Sequence, residues 1–154
     1  MNNIKESVVY SLASTGVVKK DIVDIWAVIK RFNSLSEWHP AIDASFIEDG
    51  KSELEVGCIR NVTLVGGATG REKLVSRDDG KFQLVYSFVS PPLPVDGYIS
   101  TIQLLPTHLQ GHTQVIWSSS FKCEPDSVED MKNILENDVY IAGISALKMR
   151  SIIV

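Results

Sequence analysis

Apolar and polar residues follow two different periods along the first part of the chain. Residues 7–14 (SVVYSLAS) are rich in β-branched and aromatic side chains, which predicts a first β-strand from Ser7 to Ser14. Residues 19–31 instead space their apolar side chains as one face of a helix does. These side chains are Ile22, Ile25, Trp26 and Ile29. An amphipathic helix is therefore predicted over residues 19–31.

The helical pattern ends at NSLSEWHPAI, where turn-forming residues cluster and Pro40 disfavours helix at His39. A short helical turn is predicted from Ser34 to Trp38. From Ile42 to Phe121 the chain then shows five strand-like runs, separated by DG, GG, DDG, SPPLPVDG and THLQGH. Spacers of this kind are typical of β-hairpins, so the pattern predicts an antiparallel sheet.

After Pro125 the helical period returns. The apolar residues near helical spacing are Met131, Ile134, Leu135, Val139, Ala142, Ala146 and Met149. Asp126 and Glu129 have the spacing of a capping box at the start of this helix. Small residues in its middle allow a close approach to a curved sheet or leave space beside it. The order of strand, helices, antiparallel strands and one long helix predicts an α+β fold in a single domain, residues 1–154.

The predicted strands place large aromatic residues and hydroxyl groups on the same faces, because side chains alternate sides along a strand. Three such faces are Phe82, Leu84, Tyr86 and Phe88; Tyr98, Ser100, Ile102 and Leu104; and Val115, Trp117, Ser119 and Phe121. An apolar pocket uses a few polar groups to orient a ligand, whereas a dry core favours uninterrupted aliphatic residues. The mixture favours an internal pocket, and a tightly packed core that tolerates serines is the alternative.

Two strands around the turn VGGATG each carry one charged residue on their apolar side. Arg60 shares a face with Val62, and Glu72 shares a face with Leu74. A three-residue loop, Val65 to Gly67, pairs position 60 with position 72 and puts its last glycine in the left-handed position of a G1 bulge. A two-residue loop would send Glu72 to the opposite face, so the patterns of both strands predict the three-residue loop.

Composition and charge narrow the classes of function. The 154 residues are 44% hydrophobic and 22% charged, as in an ordinary globular domain with a buried core. A formal charge of −4 argues against a nucleic-acid binder, which usually shows a basic face. The two cysteines, Cys58 and Cys123, lack metal-type spacing and are predicted to be buried free thiols. With no signal-peptide pattern and no apolar run near the ~20 residues that span a bilayer, a cytoplasmic protein is expected.

The chain resembles the START-like, helix-grip superfamily (SRPBCC), and within it the polyketide cyclase/dehydrase-type and lachrymatory-factor-synthase-type small proteins. The resemblance rests on FNSLSEWHPAI, VGCIRNVTL, GREKLVSRDD, LVYSFVSPPLPVDGYISTIQLLP and TQVIWSSSF, in this order before the final helix. It implies a bent antiparallel sheet wrapped around the C-terminal helix. It also implies an internal site for a hydrophobic or amphipathic small molecule, such as a lipid, a polyketide or an aromatic-like molecule.

The same resemblance implies candidate catalytic residues. Arg60 matches the arginine of VGxxR and Glu72 matches the glutamate before KL, a pair associated with acid–base chemistry in proteins resembling lachrymatory-factor synthase. In this hypothesis Arg60 stabilises negative charge on the ligand, Glu72 moves a proton, and Tyr86 adds a hydroxyl donor. The reaction would be that of a cofactor-free cyclase, dehydratase or isomerase, because nothing in the chain supplies a nicotinamide, flavin or metal site.

The predicted ligand-binding wall combines residues of the strands, the helical turn and the final helix. It consists of Trp38, Val62, Leu74, Phe88, Tyr98, Trp117, Met131, Leu135, Ala142 and Met149. Trp38 is expected to plug one end of the pocket, and His39 is expected to cap backbone groups or face solvent. Three alternatives stay open: a structural Arg60–Glu72 ion pair without chemistry, a non-catalytic ligand carrier, and a protein-interaction module that forms a homodimer.

Overall fold

Residues 8–150 are described by the computed structural model of the chain. Its strands are β1 (Tyr10–Val18), β2 (Ile42–Ile47), β3 (Ile59–Leu64), β4 (Thr69–Asp78), β5 (Gln83–Ser90), β6 (Asp96–Pro106) and β7 (Thr113–Lys122). Helices α1 (Ile22–Ile29) and α2 (Leu35–Trp38) lie between β1 and β2, and a 3₁₀ turn, Phe32–Ser34, leads into α2. The first strand was predicted to begin at Ser7, which lies outside the described residues, and to end at Ser14; the observed strand continues to Val18.

The seven strands form one antiparallel sheet in the order β1-β7-β6-β5-β4-β3-β2. Between Ile42 and Phe121 there are six strands rather than the five predicted, because the five spacers separate six runs. The pairing register shifts within β2–β3, β4–β5 and β6–β7. Such bulges bend a strand and increase its twist, so they allow the sheet to curve around a helix.

The hairpin between β3 and β4 has the predicted register. Arg60 lies directly opposite Glu72, and the backbone N–H of Gly67 donates to the carbonyl of Leu64 over 2.9 Å. Both Gly66 and Gly67 have a φ of 103°, a conformation that side chains other than glycine rarely adopt. The two glycines are therefore required by the turn that brings the two charged residues to one face.

The C-terminal helix is continuous but not uniform. It consists of α3 (Val128–Asn133), a π-helical segment (Ile134–Ile141, hereafter the π segment) and α4 (Ala142–Met149). The predicted capping box of Asp126 and Glu129 is not formed. Asp126 lies inside a 3₁₀ turn that precedes α3, and no side-chain cap hydrogen bond is found at the start of the helix.

The π segment changes which residues of the helix face the sheet. In α4 the buried residues are Gly143, Ile144 and Leu147, whereas α-helical spacing predicted the face of Ala142, Ala146 and Met149. Met149 is 85% exposed. A turn closed by i→i+5 hydrogen bonds is wider than an α-helical turn, so the residues after the π segment point in directions that the α-helical period does not give.

At Gly143 the helix packs tightly against the sheet. A Cβ atom added at this position would lie 2.5 Å from Cζ3 of Trp117 and 2.9 Å from Cδ2 of His39. Only a residue without a side chain fits there. The small residues of the helix therefore allow close packing at this point, which is one of the two arrangements that the sequence predicted.

The remaining core lies between the sheet and the helices. Helix α1 buries Ile25, Trp26 and Ile29, as its spacing predicted. Cys58 and Cys123 are buried free thiols, which confirms the prediction for them. No helix within residues 8–150 is both long and apolar enough to cross a membrane.

Candidate ligand-binding cavity

A cavity of about 470 Å³ lies between the sheet and the C-terminal helix. The sheet contributes four aromatic rings, and the helix contributes aliphatic side chains on and beside the π segment. These residues are Tyr86, Phe88, Tyr98 and Trp117 from the sheet, and Ile134, Leu135, Val139 and Ala142 from the helix. The exposed part of the wall, hereafter the rim, consists of Pro40, Val65, Asn137 and Asp138. The size and the apolar lining are typical of small-molecule sites.

The buried ion pair of the β3–β4 hairpin lies at the wall of this cavity. Nε of Arg60 donates to Oε1 of Glu72 over 2.7 Å, and Nη2 lies 2.6 Å from the same oxygen in the ion pair. The two side chains are only 5% and 9% exposed. Nη1 of Arg60 donates to the backbone carbonyl of Phe32 over 2.7 Å, and the guanidinium carbon lies 3.9 Å from the centre of the Phe32 ring. The guanidinium is thus held by a carboxylate, a carbonyl and a cation–π contact.

Glu72 uses only one of its two oxygens in this pair. Oε1 accepts the hydrogen bond from Nε and makes the ion-pair contact with Nη2, and Oε2 accepts no hydrogen bond from any side chain or backbone group of residues 8–150. Glu72 belongs to the cavity wall, whereas Arg60 does not. The pair therefore presents one carboxylate oxygen, and no part of the guanidinium, to a molecule in the cavity.

Two hydrogen-bonded groups fix the aromatic part of the wall. The indole N–H of Trp117 donates to the hydroxyl oxygens of Tyr86, over 3.2 Å, and Ser100, over 3.1 Å. The hydroxyl of Tyr140 donates to Oγ of Ser119, so in the Tyr98–Tyr140 hydrogen bond the proton comes from Tyr98. Burial raises the pKa of Tyr86 and of Tyr98, which keeps both phenols neutral.

His39 joins two parts of the cavity wall. Its Nδ1 accepts a hydrogen bond from the backbone N–H of Ala41 over 3.0 Å, and its Nε2 lies 2.7 Å from the carbonyl oxygen of Val139 in the π segment. Because Nδ1 is an acceptor, Nε2 carries the proton and donates it. Burial lowers the pKa of His39, which favours this neutral form. The prediction that His39 caps backbone groups is confirmed, but it is buried and does not face solvent.

The structure brings together seven of the residues that the sequence predicted for the site. Those in the cavity wall are Glu72, Tyr86, Phe88, Tyr98, Trp117, Leu135 and Ala142. Six others lie elsewhere: Arg60 behind Glu72, Trp38, Val62, Leu74 and Met131 in the packed core, and Met149 at the surface. The inner face of the sheet is longer than the cavity, so residues that share this face divide between core and cavity. Trp38 turns its indole N–H to Oγ of Ser34, over 3.2 Å.

Sequence reasoning missed the part of the wall that depends on the π segment. Asn137 at the rim and Tyr140 behind Tyr98 do not lie on the face that α-helical spacing selects, whereas Asp138 at the rim lies on that face by spacing but is not apolar. The sequence did offer one signal for Tyr140, since it is a bulky aromatic residue just before the small residues of the helix. Among residues 8–150, no group of three or more His, Cys, Asp or Glu side chains is arranged to hold a metal ion.

Comparison with solved structures finds similar folds in bacteria and in a plant. An uncharacterized protein from Bacillus thuringiensis is 28% identical, with a TM-score of 0.80 over 90% of this chain and 96% of that chain. A protein from Thermobifida fusca is 26% identical, with a TM-score of 0.81 over 90% of each chain. Norcoclaurine synthase from Thalictrum flavum is 20% identical, with a TM-score of 0.76 over 97% of this chain and 92% of that chain. The last likeness shows the fold alone.

Comparison with curated proteins finds no match. The model of one protein family, described as "Polyketide cyclase / dehydrase and lipid transport", matches residues 12–150. This range contains the cavity, the C-terminal helix and the whole sheet, apart from the first two residues of β1. With the helix-grip fold and the internal cavity established, the match shows that the chain belongs to the polyketide cyclase/dehydrase and lipid transport family.

Proposed function

We propose that the protein binds a small amphipathic molecule, with an aromatic or polyketide-like body, inside the cavity between sheet and helix. The observation that carries this proposal is the free Oε2 of Glu72 in an otherwise largely apolar wall. An apolar site with a few convergent polar groups is the usual form of a small-molecule site. The oxygen is accessible from the cavity and is not enclosed by protein, so it gives a bound molecule a polar group to contact in a largely apolar wall.

The aromatic wall suits a flat ligand. Phe88 and Tyr98 are stacked with ring centres 4.0 Å apart, and Trp117 stacks on Tyr140 at 5.3 Å. Rings fixed in this way lose little conformational freedom when a ligand binds, which favours affinity. The structure of norcoclaurine synthase from Thalictrum flavum was solved in complex with dopamine and hydroxybenzaldehyde, so a protein of this fold accommodates small aromatic molecules.

Fluorescence titration with N-phenyl-1-naphthylamine, an uncharged apolar probe, tests the proposal. We expect saturable binding, and we expect Ala142→Leu to weaken it by at least tenfold, because Ala142 lines the cavity and a larger side chain would fill it. Ser145→Leu is the matched control, since Ser145 is exposed on the same helix. Absence of saturable binding, or equal weakening by both variants, would contradict a ligand site in this cavity.

The free oxygen of Glu72 also supports an acid–base reaction as a second candidate function. A carboxylate oxygen that is not used by Arg60 is available to take a proton from a bound ligand, and Tyr86 lies in the same wall. Arg60 then acts as a positioning residue for Glu72 and not as a ligand anchor. Once a reacting ligand is known, Glu72→Gln should lower turnover by about 10²–10⁴-fold, whereas unchanged turnover would remove Glu72 from the mechanism.

The alternative function, a protein-interaction module that forms a homodimer, stays a prediction. Size-exclusion chromatography with light scattering, with and without N-phenyl-1-naphthylamine, separates the two classes. A monomeric mass in both conditions would contradict the homodimer. A dimeric mass whether or not the cavity is filled would support the interaction module.

A further inference from the structure

We propose that the buried end of the ligand is an uncharged hydrogen-bond donor, such as a phenol or an alcohol, and that the cavity rejects both carboxylates and ammonium groups. This inference rests on the proposed function, because it assigns the chemistry of the group that contacts Glu72. It follows from the charges and the unused hydrogen-bonding atoms of the wall.

The Glu72 end of the wall favours a ligand donor over an acceptor, although Tyr86 is a wall residue whose hydroxyl proton is not used in a hydrogen bond within residues 8–150. The indole N–H of Trp117 is shared between Tyr86 and Ser100, and both ring nitrogens of His39 are engaged by backbone groups. Oε2 of Glu72 has no partner among residues 8–150, and an ionised carboxylate only accepts hydrogen bonds. Because Oε2 is accessible from the cavity and is not enclosed by protein, a ligand that places an O–H group against it gains a charge-assisted hydrogen bond.

A carboxylate ligand meets charges of its own sign. The described wall contains two carboxylates, Glu72 inside and Asp138 at the rim, and it contains no lysine or arginine. Arg60 offsets the charge of Glu72 but not that of a second anion, because its guanidinium is bound to Oε1 of Glu72 and to the carbonyl of Phe32 and lies outside the wall. A carboxylate ligand would therefore bring one uncompensated negative charge, and its oxygens could only accept hydrogen bonds beside Oε2, so an anionic ligand should be excluded.

An ammonium ligand is also disfavoured, for the opposite reason. Arg60 already neutralises Glu72, with N–O distances of 2.6 and 2.7 Å in a pair that is almost fully buried. A second cation at Oε2 would leave one uncompensated positive charge in a low-dielectric site, which is costly. An uncharged donor keeps the net charge of this end of the cavity at zero.

Four naphthalene compounds of nearly equal size test the proposal by displacement of N-phenyl-1-naphthylamine at neutral pH: 2-naphthol, 2-methoxynaphthalene, 2-naphthoate and 2-naphthylmethylammonium. A hydrogen bond to a charged group is worth more than one between neutral groups. We therefore expect 2-naphthol to bind about tenfold more tightly than each of the other three. Tighter binding of the ammonium or carboxylate compound, or equal binding of all four, would overturn the inference while leaving the proposed function intact.

Two variants assign the preference to Glu72. Glu72→Gln keeps an oxygen for Arg60 but replaces the free acceptor with an N–H donor, so the preference for 2-naphthol over 2-methoxynaphthalene should disappear. Glu136→Gln removes an exposed carboxylate of the π segment outside the cavity wall and should leave the preference unchanged. If Glu72→Gln does not fold, the four-compound series on the unmodified protein still decides. If no compound and no N-phenyl-1-naphthylamine binds, the proposed function fails and the inference fails with it.

Discussion

Two arginine–glutamate pairs lie on opposite faces of the β3–β4 hairpin, and they differ in how they use the carboxylate. On the outer face, Arg71 binds Glu48 with two hydrogen bonds, from Nε to Oε2 over 2.6 Å and from Nη2 to Oε1 over 2.9 Å. Asn61 adds a third hydrogen bond to Oε2. On the inner face, Arg60 engages Oε1 of Glu72 alone.

The difference supports the proposal that the inner pair contacts a ligand. In the outer pair, where Arg71 is 39% and Glu48 21% exposed, water is available and both oxygens are nevertheless bound within the protein. In the inner pair, one oxygen has no partner within residues 8–150 and is accessible from the cavity. A pair that served only to close the core would be expected to use both oxygens within the protein, as the outer pair does. Geometry, more than the presence of an ion pair, thus distinguishes the candidate site.

The two pairs should differ most in the stability that is lost when the arginine of each pair is replaced. Arg60→Leu leaves Glu72 as an uncompensated buried charge and should destabilise the fold by about 3–5 kcal/mol. Arg71→Leu removes an exposed partner and should change stability much less. Urea denaturation of both variants measures the difference. Equal losses of stability in the two variants would mean that burial does not make the inner pair more important for stability than the outer pair.

A smaller effect is expected when both members of the inner pair are replaced. Arg60→Leu with Glu72→Leu removes the stranded charge together with its partner, so the double variant should recover part of the stability that Arg60→Leu loses. A denaturation series of the two single variants and the double variant completes the cycle. If the losses of stability in the two single variants simply add in the double variant, Arg60 and Glu72 are not energetically coupled.

The smallest effect should be the acid sensitivity of the outer pair. The hydrogen bonds from Arg71 and then Asn61 lower the pKa of Glu48 from 4.5 to about 2. Because the folded-state pKa is the lower one, the stabilisation is present above pH 4.5 and is lost as the pH falls toward 2. Glu48→Gln should flatten the pH dependence of the melting temperature in this window. Arg71→Leu should flatten it as well, since it removes the cause of the shift; an unaltered slope in both variants would contradict this origin.

The hairpin and the inner faces of the strands could be predicted from the sequence because they depend on local rules. The period of two and the position of the Gly-Gly turn together fixed Arg60 opposite Glu72. The same period assigned Tyr86, Tyr98 and Trp117 to the inner face, where they line the cavity. In these elements a residue's direction follows from its immediate neighbours in the chain.

Other features of the site depend on contacts between distant residues and could not be predicted. The carbonyl that holds Arg60 belongs to Phe32, and the carbonyl that binds His39 belongs to Val139. No local pattern in the sequence reports such pairs. The exposure of Met149 has a related cause, because the hydrogen-bonding pattern of the helix changes in a region where the apolar spacing still looks α-helical.

The π segment also has a consequence for how sequences of this family can diverge. A turn with i→i+5 hydrogen bonds holds one more residue than an α-helical turn, so the segment Ile134–Ile141 is equivalent to an α-helix that has gained a residue by insertion. If that residue were deleted and the segment became α-helical, the residues after it would keep their directions, and Gly143 would stay where an added Cβ atom would lie 2.5 Å from Trp117. If the π pattern were kept with one residue fewer, Ile144 would move to that position, where its side chain does not fit. We therefore expect a relative whose helix is regular at this point to lack one residue of the segment Ile134–Ile141 in the alignment and to keep its smallest residue aligned with Gly143.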